Sequence, residues 1–141
     1  MKGAICTDTF LPHPPERVWR ALTDPDLLGR WLMPNDFQSR VGHHFTFRTD
    51  PVPGAGFDGV IQCEVLALDP PLLLRISWAT AGGIDTTVNW RLAPEGRGTR
   101  LFLVHEGFDE TDPQQAVQRI LDGGWRSHIA RRLEEVLAAL E

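Results

Sequence analysis

The side chains able to do chemistry in this sequence are few and scattered. The histidines are His13, His43, His44, His105 and His128, and none stands at ligand spacing from another histidine, a cysteine or a carboxylate, so no metal site is expected. His43 and His44 would in any case point to opposite faces of a strand. No Gly-x-Ser-x-Gly elbow occurs, and neither Cys6 nor Cys63 has a histidine near it in sequence, which leaves no evident nucleophile and base pair. Gly54-Ala55-Gly56 precedes a strand-like stretch rather than a helix and does not read as a phosphate cradle. The expectation is a chain without metal, nucleotide or other cofactor.

What remains is an aromatic set with two histidines. The chain carries five Trp and seven Phe but no Tyr, so its aromatic bulk comes almost without phenolic hydroxyls. Trp78 and Trp90 fall on the apolar faces of consecutive strand-like stretches, Phe47 on that of an earlier one, Trp31 in a short helix, and Trp125 beside Gly124 in the last helix. Each tryptophan alone reads as ordinary core. As a set around a glycine break, Trp31, Phe47, Trp78, Trp90, His105, Gly124, Trp125 and His128 read as the lining of a ligand cavity. His105 and His128 are the polar members of otherwise apolar stripes. Such a histidine can simply bond to backbone, or it can orient a ligand carbonyl or hydroxyl, or act as acid or base, its free pKa being about 6.5.

The elements that must position these residues can be read from periodicity. Asp112 to Glu141 reads as one long helix, with Asp112 as N-cap and Pro113 at the first helical position. Val117, Ile120, Leu121, Gly124 and His128 share one stripe of it, and Ile129, Leu133, Val136, Leu137 and Leu140 a second, offset by roughly a third of a turn. Gly123 and Gly124 sit at the changeover, where a bend is expected, for packing or to leave room beside a cavity. Earlier, Ala4 to Leu11 fits a strand, and Glu16 to Thr23 and Asp26 to Leu32 fit two short helices set off by prolines. Period-two stretches follow, containing Phe45 and Phe47, then Ile61, Cys63 and Val65, then Leu74, Ile76 and Trp78, then Val88, Trp90 and Leu92, then Leu101, Leu103 and His105. Short turns at Asp69-Pro70-Pro71, Ala81-Gly82-Gly83 and Pro94 to Gly98 join the later ones into an antiparallel meander. The fold class is α+β, a curved antiparallel sheet of about six or seven strands around the terminal helix.

At 141 residues, 42% hydrophobic and 23% charged, the sequence fits a single globular domain over 1–141 with room for a cavity. A net charge of -5 without a basic cluster argues against nucleic acid and anionic membrane as partners, and no apolar run approaches the roughly 20 residues of a membrane span. Met1 to Phe10 lack the apolar core of a signal peptide, so a cytoplasmic location is expected, with both cysteines reduced and buried.

The run Pro15, Val18-Trp19, Ala21-Leu22-Thr23, Pro25, Leu28 and Trp31, then Asp69-Pro70-Pro71, Leu74 and Trp78, then Gly98-Thr99-Arg100-Leu101, His105, Gly107-Phe108 and Gly124-Trp125, resembles the SRPBCC (START-like, helix-grip) superfamily. Within it the chain is similar to bacterial single-domain proteins related to the C-terminal domain of the heat-shock ATPase activator, and to polyketide-cyclase-like members. After Trp31, where relatives often carry a second aromatic, Leu32 and Met33 stand here. The resemblance implies a deep cavity between sheet and long helix, which different relatives use to bind lipids or polyketides, to cyclise aromatic polyketides, or to dock on a partner. Because Arg75, Arg91, Gln62 and Glu64 fall on the outer faces, the inner polar handles are His105, His128 and the indole N–H groups. The guest expected is a small hydrophobic ligand, flat and aromatic or lipid-like, with one or two oxygens, and not a sugar or nucleotide. Binding without turnover is the expectation; the alternatives are a cofactor-free cyclase or hydrolase using His105 or His128, and a chaperone-associated interaction protein.

Overall fold

Proline sets the entry to both early helices. In the computed structural model, which describes residues 3–140, strand β1 (Gly3–Leu11) leads through an extended Pro14 into α1 (Pro15–Thr23), with Pro15 in its first turn. Asp24 ends α1 by donating its N–H to the Arg20 carbonyl at 2.8 Å. It then caps α2 (Pro25–Trp31), its carboxylate accepting from the amides of Asp26 at 2.9 Å and Leu27 at 3.3 Å. The strands β2 (His44–Arg48), β3 (Val60–Asp69), β4 (Leu73–Ala79), β5 (Asp85–Glu95) and β6 (Gly98–Phe108) follow, and with β1 they form a six-stranded sheet in the order β1-β6-β5-β4-β3-β2. Every pairing is antiparallel, and the first strand closes on the last. The fold is thus the expected α+β arrangement.

Strand parity puts one face inward. Phe45, Phe47, Ile61, Cys63, Val65, Leu74, Ile76, Trp78, Val88, Trp90, Leu92, Leu101 and Leu103 are all buried. Parity also corrects the reading of Cys6, which lies between Ile5 and Thr7 on the outer face and is exposed, whereas Cys63 is buried. Burial, with the nearby Asp36 charge adding to it, pushes the Cys63 thiol far up, so it is inert at neutral pH. Alternation breaks once in β6. Gly3 pairs with Phe108 but Ala4 with Glu106, which leaves Gly107 (φ 106°) as the extra residue of a bulge. That one residue swings Phe108 inward, where it is fully buried.

The long terminal helix is interrupted, though not where the glycine pair suggests. It runs as α3 (Asp112–Ser127), straight through Gly123 and Gly124, then as a π-helical turn over His128–Leu133, then as α4 (Glu134–Ala139). The glycines cost helix propensity without ending the α-helix. The physical reason for the displaced break is the stripe offset itself. With i→i+5 bonding the π turn takes up one extra residue, which sets the downstream face back by about 100°, one residue's rotation. Subtracting that rotation brings Val117, Leu121 and Trp125 into a single arc with Leu133, Val136, Leu137 and Leu140. Two stripes that would face different surroundings on a regular helix therefore face the same one. The side chains of Asp112, His128, Ile129 and Ala130 lie outside the described residues, as do the expected Asp112 cap and His128 as a lining group.

Candidate inner-face site

The aromatic residues singled out by parity converge. From the β2 side inward, Phe45 meets Phe47 (ring centroids 5.4 Å apart), Phe47 meets Trp78 (5.4 Å), and Trp78 meets both His105 (5.3 Å) and Trp125 (5.3 Å). Trp90 packs edge-on against Trp125 at 5.9 Å, and Phe108, brought in by the Gly107 bulge, lies 4.7 Å from His105. Trp125 is the only contribution of α3 to this chain of rings among the described residues, and it holds the helix to the sheet. Trp31 has a different position: it is fully buried, and its Nε1 donates to the Ala21 carbonyl at 2.7 Å, tying α2 to α1.

His105 is fixed by a directed relay of hydrogen bonds. Trp125 Nε1 can only donate, and it lies 3.0 Å from His105 Nδ1, which must therefore accept. The ring proton then sits on Nε2, which donates to Thr86 Oγ1 at 2.7 Å, and that hydroxyl donates to the Trp78 carbonyl, also at 2.7 Å. The ring is fully buried, and desolvation lowers its pKa to about 3. At neutral pH it is a neutral imidazole with both nitrogens engaged. A general base at that pH needs a free lone pair and a pKa near 7, and His105 has neither. Thr86 was missed in the sequence reading, although it shares parity with Val88 and Trp90; its short polar side chain among apolar neighbours was the available signal.

The first half of α3 packs over β1 and β6 without fully burying its apolar stripe. Val117 and Leu121 remain only partly buried against the core, Ile120 is 73% exposed, and Trp125 is 2% exposed. A Cβ added at Gly123 or Gly124 would meet nothing within 4 Å; Gly123 is exposed and faces solvent, while Gly124 is half-buried. An open groove of about 310 Å³ lies at the opposite edge of the sheet, beside β2 and β3; Asp36, His44, Arg48 and Gln62 give its lining a polar side, and it meets the ring chain at Phe45.

Residues 12–138 match the family described as activator of Hsp90 ATPase homolog 1-like protein. The chain belongs to this family. Solved structures of the same fold include MLL2253 from Mesorhizobium loti, 33% identical, with 99% of each chain covered and a TM-score of 0.87. BH1534 from Bacillus halodurans is 25% identical over 97% of this chain and 99% of its own, with a TM-score of 0.78. CalU16 from Micromonospora echinospora is 28% identical over 98% of this chain and 85% of its own, with a TM-score of 0.72. No curated protein matches the sequence. Membership agrees with the helix-grip resemblance. Among the described residues, no helix of the chain is long and apolar enough to cross a membrane.

Proposed function

We propose that this protein binds a small, flat, mostly apolar guest between the inner face of the sheet and α3, and that it does so without chemical turnover. The observation that carries this reading is the incomplete closure of α3. Apolar Val117 and Leu121 pack against the core yet are left half-buried, and Gly124, half-buried beside them, has nothing within 4 Å of where a Cβ would stand. A helix serving only as a lid on a core would bury its stripe, as α4 does through Val136 and Leu137. Aromatic and aliphatic walls with few polar groups suit an aromatic or lipid-like guest. The relay through His105 argues against the acid-base alternative at that residue, because the imidazole is spent on positioning Trp125 against the sheet.

Trp125 and Trp90 flank the proposed space, so a bound guest should change indole emission. The test is a titration of flavone, 4′-hydroxyflavone and palmitate followed by tryptophan fluorescence, with native mass spectrometry of the purified protein for carried-through ligand. Saturable binding with no product supports the reading. Conversion of a bound probe would replace it with a catalytic one, and stimulation of a chaperone ATPase without binding of any probe would replace it with partner docking.

A further inference from the structure

Among the described residues, the buried side-chain polar atoms without a hydrogen-bond partner are Trp90 Nε1, Thr7 Oγ1 and Gln118 Oε1. Native interiors leave few such atoms, and each demands an explanation. Two of the three stand in one row, and the third lies at the start of β1. Leu103 pairs with Thr7 on one side and with Trp90 on the other, so Thr7, Leu103 and Trp90 form one row across β1, β6 and β5. Thr7 shares strand parity with the buried Ile5 and Leu11, so all three members of the row point inward. Gln118 comes down from α3 over the start of β1, its Nε2 3.4 Å from the Ala4 carbonyl, and only a glycine at position 3 leaves room for it.

The pattern is selective. Two other buried indole N–H groups are placed: Trp31 donates to Ala21 and Trp125 to His105. Trp90 alone among these keeps a buried, unanswered donor. Thr7 presents a similar case, since valine has the same shape and would pack there without an orphaned hydroxyl. Two interstrand spacings of about 4.8 Å separate the Thr7 and Trp90 backbones by roughly 10 Å, with the apolar Leu103 between them.

Resting on the guest-binding reading above, we infer that Trp90 Nε1 and Thr7 Oγ1 are the two polar handles of the site, and that the guest is a flat aromatic with an oxygen toward each end. Trp90 donates to one oxygen, and the Thr7 hydroxyl meets the other on the β1 side. A fatty acid fits poorly, because both of its oxygens sit at one end and would answer one handle only. A two-ended oxygenated aromatic, such as a phenolic ketone, answers both while its middle lies on Leu103.

The test is isothermal titration calorimetry at neutral pH with 4′-hydroxyflavone, its hydrocarbon analogue 2-phenylnaphthalene, and palmitate, against wild type, Thr7→Val, Trp90→Phe and the double variant. Each single variant is expected to weaken 4′-hydroxyflavone by about three- to tenfold, the range set by one net hydrogen bond, and to leave 2-phenylnaphthalene unchanged. The double variant should bind the two alike. Unfolding midpoints of the free variants should stay at or above wild type for Thr7→Val, which separates lost affinity from lost folding. Wild type binding 4′-hydroxyflavone and 2-phenylnaphthalene equally, or palmitate more tightly than either, would overturn this inference while leaving guest binding intact. Failure of wild type to bind any of the three would overturn both.

Discussion

The buried imidazole of His105 makes stability depend on pH in a calculable way. Its pKa is about 3 in the folded state, lowered by burial, against about 6.5 in an unfolded chain. The neutral form is the one the fold accommodates, so the contribution is fully present above pH 6.5 and is lost as pH falls toward 3. Between those limits the unfolded state binds a proton that the folded state does not, and each pH unit costs about 1.4 kcal/mol. From pH 7 to pH 4 the loss is therefore about 3 kcal/mol, a large part of the stability of an ordinary domain. Carboxylates also titrate in this interval, so the measurement must isolate the ring. Urea denaturation of wild type and His105→Gln at pH 7 and pH 4 does this: the variant starts lower, having lost the relay, but its decline between the two pH values should be shallower by about 3 kcal/mol. Ring proton resonances of His105 should stay constant from pH 7 to pH 5. An apparent pKa near 6.5 for that ring, or equal declines for wild type and variant, would refute the buried neutral relay.

Other perturbations test the parts that hold the site. Trp125→Phe keeps the ring packing but leaves His105 Nδ1 without its donor, and should cost about 1–3 kcal/mol in urea denaturation. Gly124→Ala should stabilise the free protein by up to about 1 kcal/mol, because the added methyl meets nothing and improves helix propensity; a fall in Tm would show that the space is not open. Gly107→Ala should destabilise by more than about 1 kcal/mol, since φ at that bulge is 106° and the new Cβ would crowd the Asp85 carbonyl and Thr86 Cα at 3.4 Å. Asp24→Ala removes the cap of α2 and should cost about 1 kcal/mol, visible as a lower urea midpoint with an unchanged slope.

The sheet was legible because period two is a strong signal when one face is buried: Leu74, Ile76 and Trp78, then Val88, Trp90 and Leu92, alternate with polar residues and all turn inward. The same rule read without its exceptions missed Phe108, because one bulge residue at Gly107 reverses parity and only backbone pairing reveals it. In the helix the stripe offset was visible in sequence, and its resolution was not. A bend at two glycines and an extra residue in a π turn both reconcile such an offset, and backbone hydrogen bonding selects between them. Within the site, the convergence of Phe47, Trp78, Trp90, His105 and Trp125 followed from parity and helix phase. The tautomer of His105 and the role of Thr86 depend on distances across 19 and 20 residues of sequence, which no local pattern encodes. Cys6 shows the converse error, in which apolar surroundings in sequence outweighed strand parity.

The distribution of satisfied and orphaned polar atoms favours the binding proposal over an acid-base one for this interior. An acid-base site keeps a titratable group exposed to its substrate and tuned near the working pH. Among the described residues, His105 at the centre of the ring chain is locked on both nitrogens and held neutral, and the buried thiol of Cys63 is pushed away from reactivity. Among the described residues the interior leaves open a donor on Trp90, a hydroxyl on Thr7 and an acceptor on Gln118, groups that can hydrogen-bond a guest but do not activate it. Specificity can arise from such groups at modest energetic cost, because an unanswered buried polar atom penalises every guest that lacks its complement. The fold thus stiffens one part of its inner face with a closed relay and leaves an adjacent row unsatisfied, and under the guest-binding proposal recognition falls to Thr7, Leu103 and Trp90 and support to Thr86, His105 and Trp125.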